Sequence, residues 1–412
     1  MLIEGKKEKN MHKDFKPRDS TIHKYRPFSV NQNIYYGSGC RTEIPSICAR
    51  EEWKRVLVIA DPGIVQSGVV KQIQELLDKA GISHALFDDI KPDPPVEKIE
   101  LAIEMARTFN ADVLLAIGGG SSLDTAKGVA IVGDSNYKVE DFWGVDADMS
   151  FSHRAYPIIA VPTTAGTGSE VTRNAVISDR NNYKMVILQN AILPKYAILD
   201  ADMLATLPKK VAAASSIDAL VHAVEAYVSL RATDFSDTMA ERAIVLIGPN
   251  IRPFIANRAN NDVASKMILG SAYAGIALSL ANPGQAHCLS HPLTRLYHFA
   301  HGDANAILFP AVVEYNALSD TGKFKKIYNL MCPEKAVEKG FEPKLLVNEL
   351  IQLNKDLGID KSLSELGVTQ EGIKEMVEEC FVTPMYINFP HTTNREEVNK
   401  LYQRAFVGYK NG

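Results

Sequence analysis

Short, uninterrupted aliphatic runs alternate with stretches of helical period over the first half of the chain. Residues 55–61 (RVLVIAD), 84–90 (HALFDDI), 111–120 (ADVLLAIGGG) and 156–164 (YPIIAVPTT) contain apolar blocks without polar alternation, the pattern of strands covered on both faces. Between them, residues 68–81 (GVVKQIQELLDKAG) and 95–110 (PVEKIELAIEMARTFN) repeat apolar positions at i, i+3 and i+4, and Gly81 stands where a helix C-terminus takes a left-handed residue. Strand, helix, strand, helix predicts a parallel sheet with helices on both faces. A last short run, 196–204 (YAILDADML), closes this half. Beyond residues 207–210 (LPKK), whose Pro208 suits a first helical turn, the period is helical at 211–230, 263–281 and 342–358. The expectation is an α/β domain over residues 1–205 followed by an all-helical domain over 206–412.

Composition narrows the class. The chain has 412 residues, 46% of them hydrophobic and 23% charged, with a formal net charge of −4, so it has material for two cores and no cationic field for nucleic acid. The lysines near the start (Lys6, Lys7, Lys9, Lys13, Lys16) read as a solvated tail, and the absence of an apolar core there argues against a signal peptide. Val263 to Ala281 approaches bilayer-spanning length, but Ser265, Lys266, Ser271, Tyr273 and Ser279 interrupt it. It reads as a buried helix whose Gly270, Ala272, Ala274, Gly275 and Ala277 admit close neighbours, so no membrane partner is expected. The five cysteines (Cys40, Cys48, Cys288, Cys332, Cys380) are scattered and form no CxxC pair, which points to a reducing, cytoplasmic setting rather than a disulfide framework.

Three loops then follow strands and share a chemistry. "GGGSSLDTAK" (118–127) leaves a buried strand and opens a helix, where flexible glycines and free backbone N–H groups make a cradle for phosphate. It lacks the GxGxxG spacing, and its acidic companion comes earlier: Asp61, at the end of the 55–61 strand, where ligands of open α/β sheets bind. A carboxylate there accepts from a ribose diol and repels a 2′-phosphate, favouring NAD over NADP; locally, Asp61 is equally a turn former before Pro62 and Gly63. "PTTAGTGSEVT" (162–172) adds Thr163, Thr164, Thr167, Ser169 and Thr172 with two glycines. Together the three loops point to a dinucleotide.

The second half carries the histidines. Asp218 and His222 lie i, i+4 in "IDALVHAVEAY" and project from one helix face. A carboxylate and an imidazole on an apolar face are costly to bury unless something binds them, and a metal is the economical candidate. The window 284–306 (GQAHCLSHPLTRLYHFAHGDANA) holds four of the ten histidines: His287 and His291, again i, i+4, then His298 and His301. One carboxylate with several imidazoles suits Fe²⁺ or Zn²⁺. Spacing alone does not choose among the clustered histidines.

"GGGSSLDTAK", "VPTTAGTGSEVT", "DALVHAVEAY" and "AHCLSHPLTRLYHFAHGDANAILFP" together resemble the iron-containing (group III) alcohol dehydrogenases, in order, over residues from about 30 to 320. That resemblance implies an N-terminal nucleotide domain, a helical C-terminal domain, and NAD(P) with a divalent metal in the cleft between them. It implies Asp218, His222, His287 and His301 as ligands to Fe²⁺, with Zn²⁺ as the other candidate ion. His291 corresponds to a histidine that lines the site without ligating, a candidate for proton relay. Gly119, Gly120 and Ser121 match the pyrophosphate turn, with Asp124 nearby. Asp61, Thr163, Thr164, Thr167, Thr172 and Lys184 match positions around the cofactor, and Asn174 is expected to face substrate. The implied activity is reversible hydride transfer between NAD(H) and a small alcohol/aldehyde pair, in a homodimer or larger homo-oligomer. This chain departs from the family at "NFPHTTNREEV" (388–398) and at Arg295. Arg173, Arg295, His298 and His391 are therefore candidates for selecting a short aldehyde bearing a sulfonate or carboxylate. Dehydroquinate-synthase-like lyases share the architecture but use a glutamate and two histidines, which the Asp218 pattern disfavours.

Overall fold

The computed structural model describes residues 32–144, 153–381, 388–391 and 393–409; the lysines near the start lie outside them. The N-terminal part contains β1 (Asn33–Tyr36), β2 (Arg55–Ala60), β3 (Ser83–Phe87), β4 (Val113–Gly118), β5 (Ile158–Pro162), β6 (Asn174–Ser178), β7 (Lys184–Leu188) and β8 (Tyr196–Leu199). Six of these form one parallel sheet in the order β1-β8-β5-β4-β2-β3. The helices α1 (Ile44–Arg50), α2 (Pro62–Gln66), α3 (Val69–Lys79), α4 (Val96–Thr108) and α5 (Gly120–Val132) accompany it.

Alternation along the strands explains the two cores. Leu57, Ile59, Leu114, Ala116 and Ala160 face the side of α4 and α5, whereas Val56, Val58, Val113, Leu115, Ile117 and Ile159 face the side of α1 and α3. Both faces are apolar, so these strands carry no polar period. Gly81, at φ 69°, follows α3 as the left-handed terminating residue. The antiparallel hairpin β6–β7 is absent from the predicted strands. Its residues alternate buried and more exposed positions over only five per strand.

After β8 the chain is helical: α6 (Lys209–Val228), α7 (Asp234–Ile247), α8 (Ile251–Ala256), α9 (Asn261–Ala281), α10 (Gln285–Tyr297), α11 (His301–Asn316), α12 (Thr321–Met331), α13 (Pro343–Leu357), α14 (Gln370–Glu379) and α15 (Arg395–Val407). The α6 helix runs through the centre of this part, buried along most of its length and packed against α7, α9 and α11. Both α6 and α9 are long and apolar enough to cross a membrane by length and composition, and both are instead largely covered by their neighbours.

Two features place the site. Parallel register (Ala60 beside Ile117, Gly118 beside Pro162) delivers the loops after β2, β4 and β5 to the same sheet edge. The loop after β5 then reaches the helices, with the backbone of Gly168 lying directly against Gly275 of α9.

Candidate active site and metal centre

Three helices surround one carboxylate oxygen. Asp218 Oδ1, on α6, stands 3.7 Å from His222 Nε2, 3.8 Å from His287 Nε2 of α10 and 3.8 Å from His301 Nε2 at the start of α11. These separations are too long for hydrogen bonds. They suit donors about one common ion, since bonds of about 2.1 Å at tetrahedral angles hold neighbouring donors roughly 3.4 Å apart. Asp218, His222 and His287 are buried, with their ligand atoms all within 4.8 Å of one another. The spacing thus brings together the four residues the resemblance selects.

The outer nitrogens determine which face of each ring is free. His222 Nδ1 lies 3.2 Å from the Gly166 carbonyl oxygen, and His287 Nδ1 lies 2.6 Å from Glu225 Oε2. Donation from Nδ1 leaves the Nε2 lone pair toward Asp218. His301 Nδ1 is buried without a partner among the described residues. Burial lowers the pKa of His222 and holds His301 well below the usual imidazole range, so both are neutral, as a ligand must be. Burial acts on His287 in the same sense, but the Glu225 carboxylate outweighs it and holds that ring above its usual range.

Sequence reasoning missed Glu225 and Asn305. Glu225 is fully buried on the α6 face that carries Asp218 and His222. Asn305, also fully buried, donates from Nδ2 to Asp218 Oδ1 at 2.8 Å, while its Oδ1 has no partner among the described residues. Their signal in the sequence is positional: each stands three or four residues after a histidine of the donor set on the same helix.

His291 lies beside the ring of donors rather than in it, its ring centre 5.7 Å from that of His301. Burial, then the Lys184 charge, holds its pKa well below the usual range. His298 is exposed, with a left-handed φ of 55°, and ends α10.

At the sheet edge, Gly119 precedes α5 as an N-cap that lends no side chain, leaving the first N–H groups open to an anion beside Ser121. A Cβ on Gly120 would stand 2.8 Å from Thr167 Cγ2, so the glycine turn and the threonine loop meet where only glycine fits. Thr164 packs on Gly119. Thr163 is buried, and its hydroxyl has no partner among the described residues. A phosphorylated ligand with polar edges fits this cradle.

Asp61 does what its turn reading expects: Oδ1 accepts from the Gly63 and Ile64 N–H groups, capping α2. Oδ2 faces Ser122 Oγ at 3.4 Å. Asp124 is committed to the fold, accepting from Ser169 Oγ at 2.7 Å and Val176 N at 3.0 Å. Beside it, fully buried Lys127 donates to Ser169 Oγ (2.7 Å), Thr172 Oγ1 (3.1 Å) and the Asn174 carbonyl (2.7 Å). Burial pushes Lys127 down to about 8 and the neighbouring Glu170 carboxyl up to about 7. The Thr172 hydroxyl and the Asn174 backbone therefore serve this internal cation. Lys184 pairs with Asp93 at 3.1 Å.

The departures from the family pattern lie elsewhere than expected. Arg295 bonds Glu375 (2.9 Å) and Glu379 (2.5 Å) and covers the Tyr183 ring at 5.0 Å, so its charge is already matched. Arg173 bonds Asn190 at 2.6 Å. His391 stacks on Tyr315 at 4.1 Å. Tyr315 is 14 residues beyond His301 on α11, about 21 Å along the axis at 1.5 Å per residue, so His391 packs at the far end of α11 from His301.

A parallel sheet with a glycine cradle, joined to a helical body that offers one carboxylate and three imidazoles, defines a class that unites nucleotide and metal sites. The chain belongs to the iron-containing alcohol dehydrogenase family. The profile of that family matches residues 31–201, and the profile described as "Fe-containing alcohol dehydrogenase family, C-terminal" matches residues 212–406. Long-chain-alcohol dehydrogenase 1 of Geobacillus thermodenitrificans is 34% identical over 86% of this chain and 90% of its own length. The crystal structure of a 1,3-propanediol oxidoreductase superposes with a TM-score of 0.87 at 31% identity, covering 92% of this chain and all of the other. Sulfoacetaldehyde reductase from Bifidobacterium kashiwanohense, solved with NAD⁺, gives 0.84 at 25% identity, covering 93% and 99%.

Proposed function

We propose that this chain catalyses reversible hydride transfer between NAD(H) and a small primary alcohol and its aldehyde, using a divalent ion held by Asp218, His222, His287 and His301. The observation that carries this reading is the set of three Nε2 atoms at 3.7–3.8 Å around one Asp218 oxygen. The loop that supplies Gly166 to His222 also supplies Thr163, Thr164 and Thr167 to the cofactor cradle. A divalent ion, Fe²⁺ or Zn²⁺, supplies Lewis-acid polarisation of the substrate oxygen, and the nicotinamide carries the hydride.

The chain's own residues do the remaining work. Neutral His291 takes up the hydroxyl proton as the alcohol is oxidised and returns it in the reverse direction. The open N–H groups at the start of α5 would hold pyrophosphate, the Thr163 hydroxyl would bond the cofactor, and Asp61, whose Oδ2 lies toward Ser122, would accept from the ribose and disfavour a 2′-phosphate. The NAD⁺ complex of the Bifidobacterium relative supports this choice. A neutral aldehyde is the better substrate than an anionic one, because Arg295, Arg173 and His391 are engaged elsewhere. We take the enzyme to work in a reducing cytoplasm as a homodimer or larger assembly, which sedimentation tests.

Anaerobic purification with metal analysis, followed by an NADH-oxidation screen over neutral and charged short aldehydes, tests the whole. Metal-loaded protein that oxidises NADH with no aldehyde, or a His287→Ala variant that keeps both metal and turnover, refutes it.

A further inference from the structure

We infer that Glu225 is a positioning residue of the metal centre: it fixes His287 in the tautomer that can ligate and seats the helix carrying that histidine. The inference rests on the metal reading above and assigns a role to a residue outside the ligand set. Asp218, His222 and Glu225 follow at i, i+4 and i+7 on α6, one continuous stripe. The first two face the ion site; Glu225 lies one turn further on, against the first turn of α10.

Every polar contact of this carboxylate points to α10 and its approach. Oε2 accepts from the Gly284 N–H at 2.9 Å and lies 2.6 Å from His287 Nδ1. Oε1 accepts from the Ala286 N–H at 2.6 Å. Glu225 therefore caps α10, which has no side-chain cap from within its own sequence. A carboxylate acceptor puts the ring proton on Nδ1, and the neutral ring then presents its Nε2 lone pair toward Asp218. Burying this carboxylate is tolerable because two backbone N–H groups and the His287 ring converge on it.

The contrast among the ligands sharpens the point. His222 has a carbonyl behind it and His301 has nothing among the described residues, so His287 is the only one of the three backed by a full negative charge. The same groove wall holds Phe389 against Gly284, where a Cβ would stand 1.7 Å from the ring, so α10 has little freedom to find a second seat.

The test is Glu225→Gln. The amide keeps the shape but cannot accept from all three N–H groups. Turned to satisfy the backbone at Ala286, it presents its own N–H to Nδ1 and forces the proton onto Nε2, where it blocks ligation. Zn²⁺ affinity, measured by chelator competition on the full-length metal-free protein, should fall about 10- to 100-fold. Glu225→Asp, which withdraws the charge by one methylene, should also bind more weakly than the parent, and it serves should E225Q not fold.

A cycle with His287→Ala separates orientation from general support. In the H287A background, E225Q should weaken Zn²⁺ binding little further, because the ring it orients is gone. Parent-like affinity in E225Q or E225D, or an equal loss from E225Q with and without His287, overturns the inference. A parent protein that binds no Zn²⁺ or Fe²⁺ instead overturns the metal reading itself, so the two failures are distinguishable.

Discussion

Gly302→Ala tests how closely the metal centre depends on helix packing. Gly302 is the second residue of α11 and directly follows His301, one of the four proposed ligands. A Cβ built there would stand 2.2 Å from the Ala214 carbonyl oxygen and 2.6 Å from its carbon. Ala214 lies on α6, one turn before Asp218, so the collision is backbone against the new methyl and no rotamer relieves it. Restoring an ordinary contact requires a displacement of roughly 1 Å between α6 and α11. Overpacking of this kind costs about 1–3 kcal/mol, which lowers Tm by no more than about 2–4 °C per kcal/mol in a chain this long. Metal–ligand distances tolerate only about 0.2 Å, so the loss of binding should far outrun the loss of stability. Thermal unfolding of metal-free protein, metal content after anaerobic loading, and NADH oxidation would be compared with the parent. A variant with parental metal content, activity and Tm would show that α11 is free to slide and that the helix contact does not set the ligand geometry.

Alanine substitution of the ligand histidines should weaken metal binding in the order His287, His222, His301, following the carboxylate, carbonyl and missing partner behind each ring; the reverse order in metal titrations would contradict that ranking. Gly120→Ala should raise the KM for NADH by about tenfold, or about 1.4 kcal/mol, with metal content unchanged, because its methyl would meet Thr167 at 2.8 Å. Loss of metal instead of cofactor affinity would argue against the cradle. Burial holds the Glu170 carboxyl up at about 7, from an ordinary 4.5. The folded state therefore keeps a proton that the unfolded chain releases between those values, and the stabilisation present below pH 4.5 is lost as the pH rises through 7. Glu170→Gln should flatten that fall in a Tm-against-pH series, and an unchanged slope would discount the shift.

The central strands β2, β4 and β5 were legible because both of their faces are buried, which removes polar alternation from 55–61, 111–120 and 156–164 and leaves plain aliphatic runs, whereas the short, half-exposed edge strand β1 was not. The hairpin β6–β7 was not, since a five-residue half-buried strand such as Asn174–Ser178 carries too little period to separate from a loop. The 118–127 cradle was readable from its three glycines after a strand. Asp61 caps α2 as its turn reading expects, but the task of Asp124 was harder to read, because anchoring Val176 depends on which backbone N–H group the fold brings to the carboxylate.

The metal centre shows the same division. Spacing on α6 reveals that Asp218 and His222 share a face, because a helix converts sequence separation into direction. It does not reveal that Glu225 stands behind His287 or the Gly166 carbonyl behind His222, 62 and 56 residues away. Glu225 reads in the sequence as an ordinary helix charge, and only its complete burial against the α10 N-terminus marks it otherwise. The partners of Arg295 and His391 are equally hidden in the sequence, since the carboxylate and the ring that hold them come from distant positions. A donor's placement is therefore set locally by its helix. Its protonation and charge are set by whatever the tertiary fold lays behind it, and the chemistry of the centre depends on both.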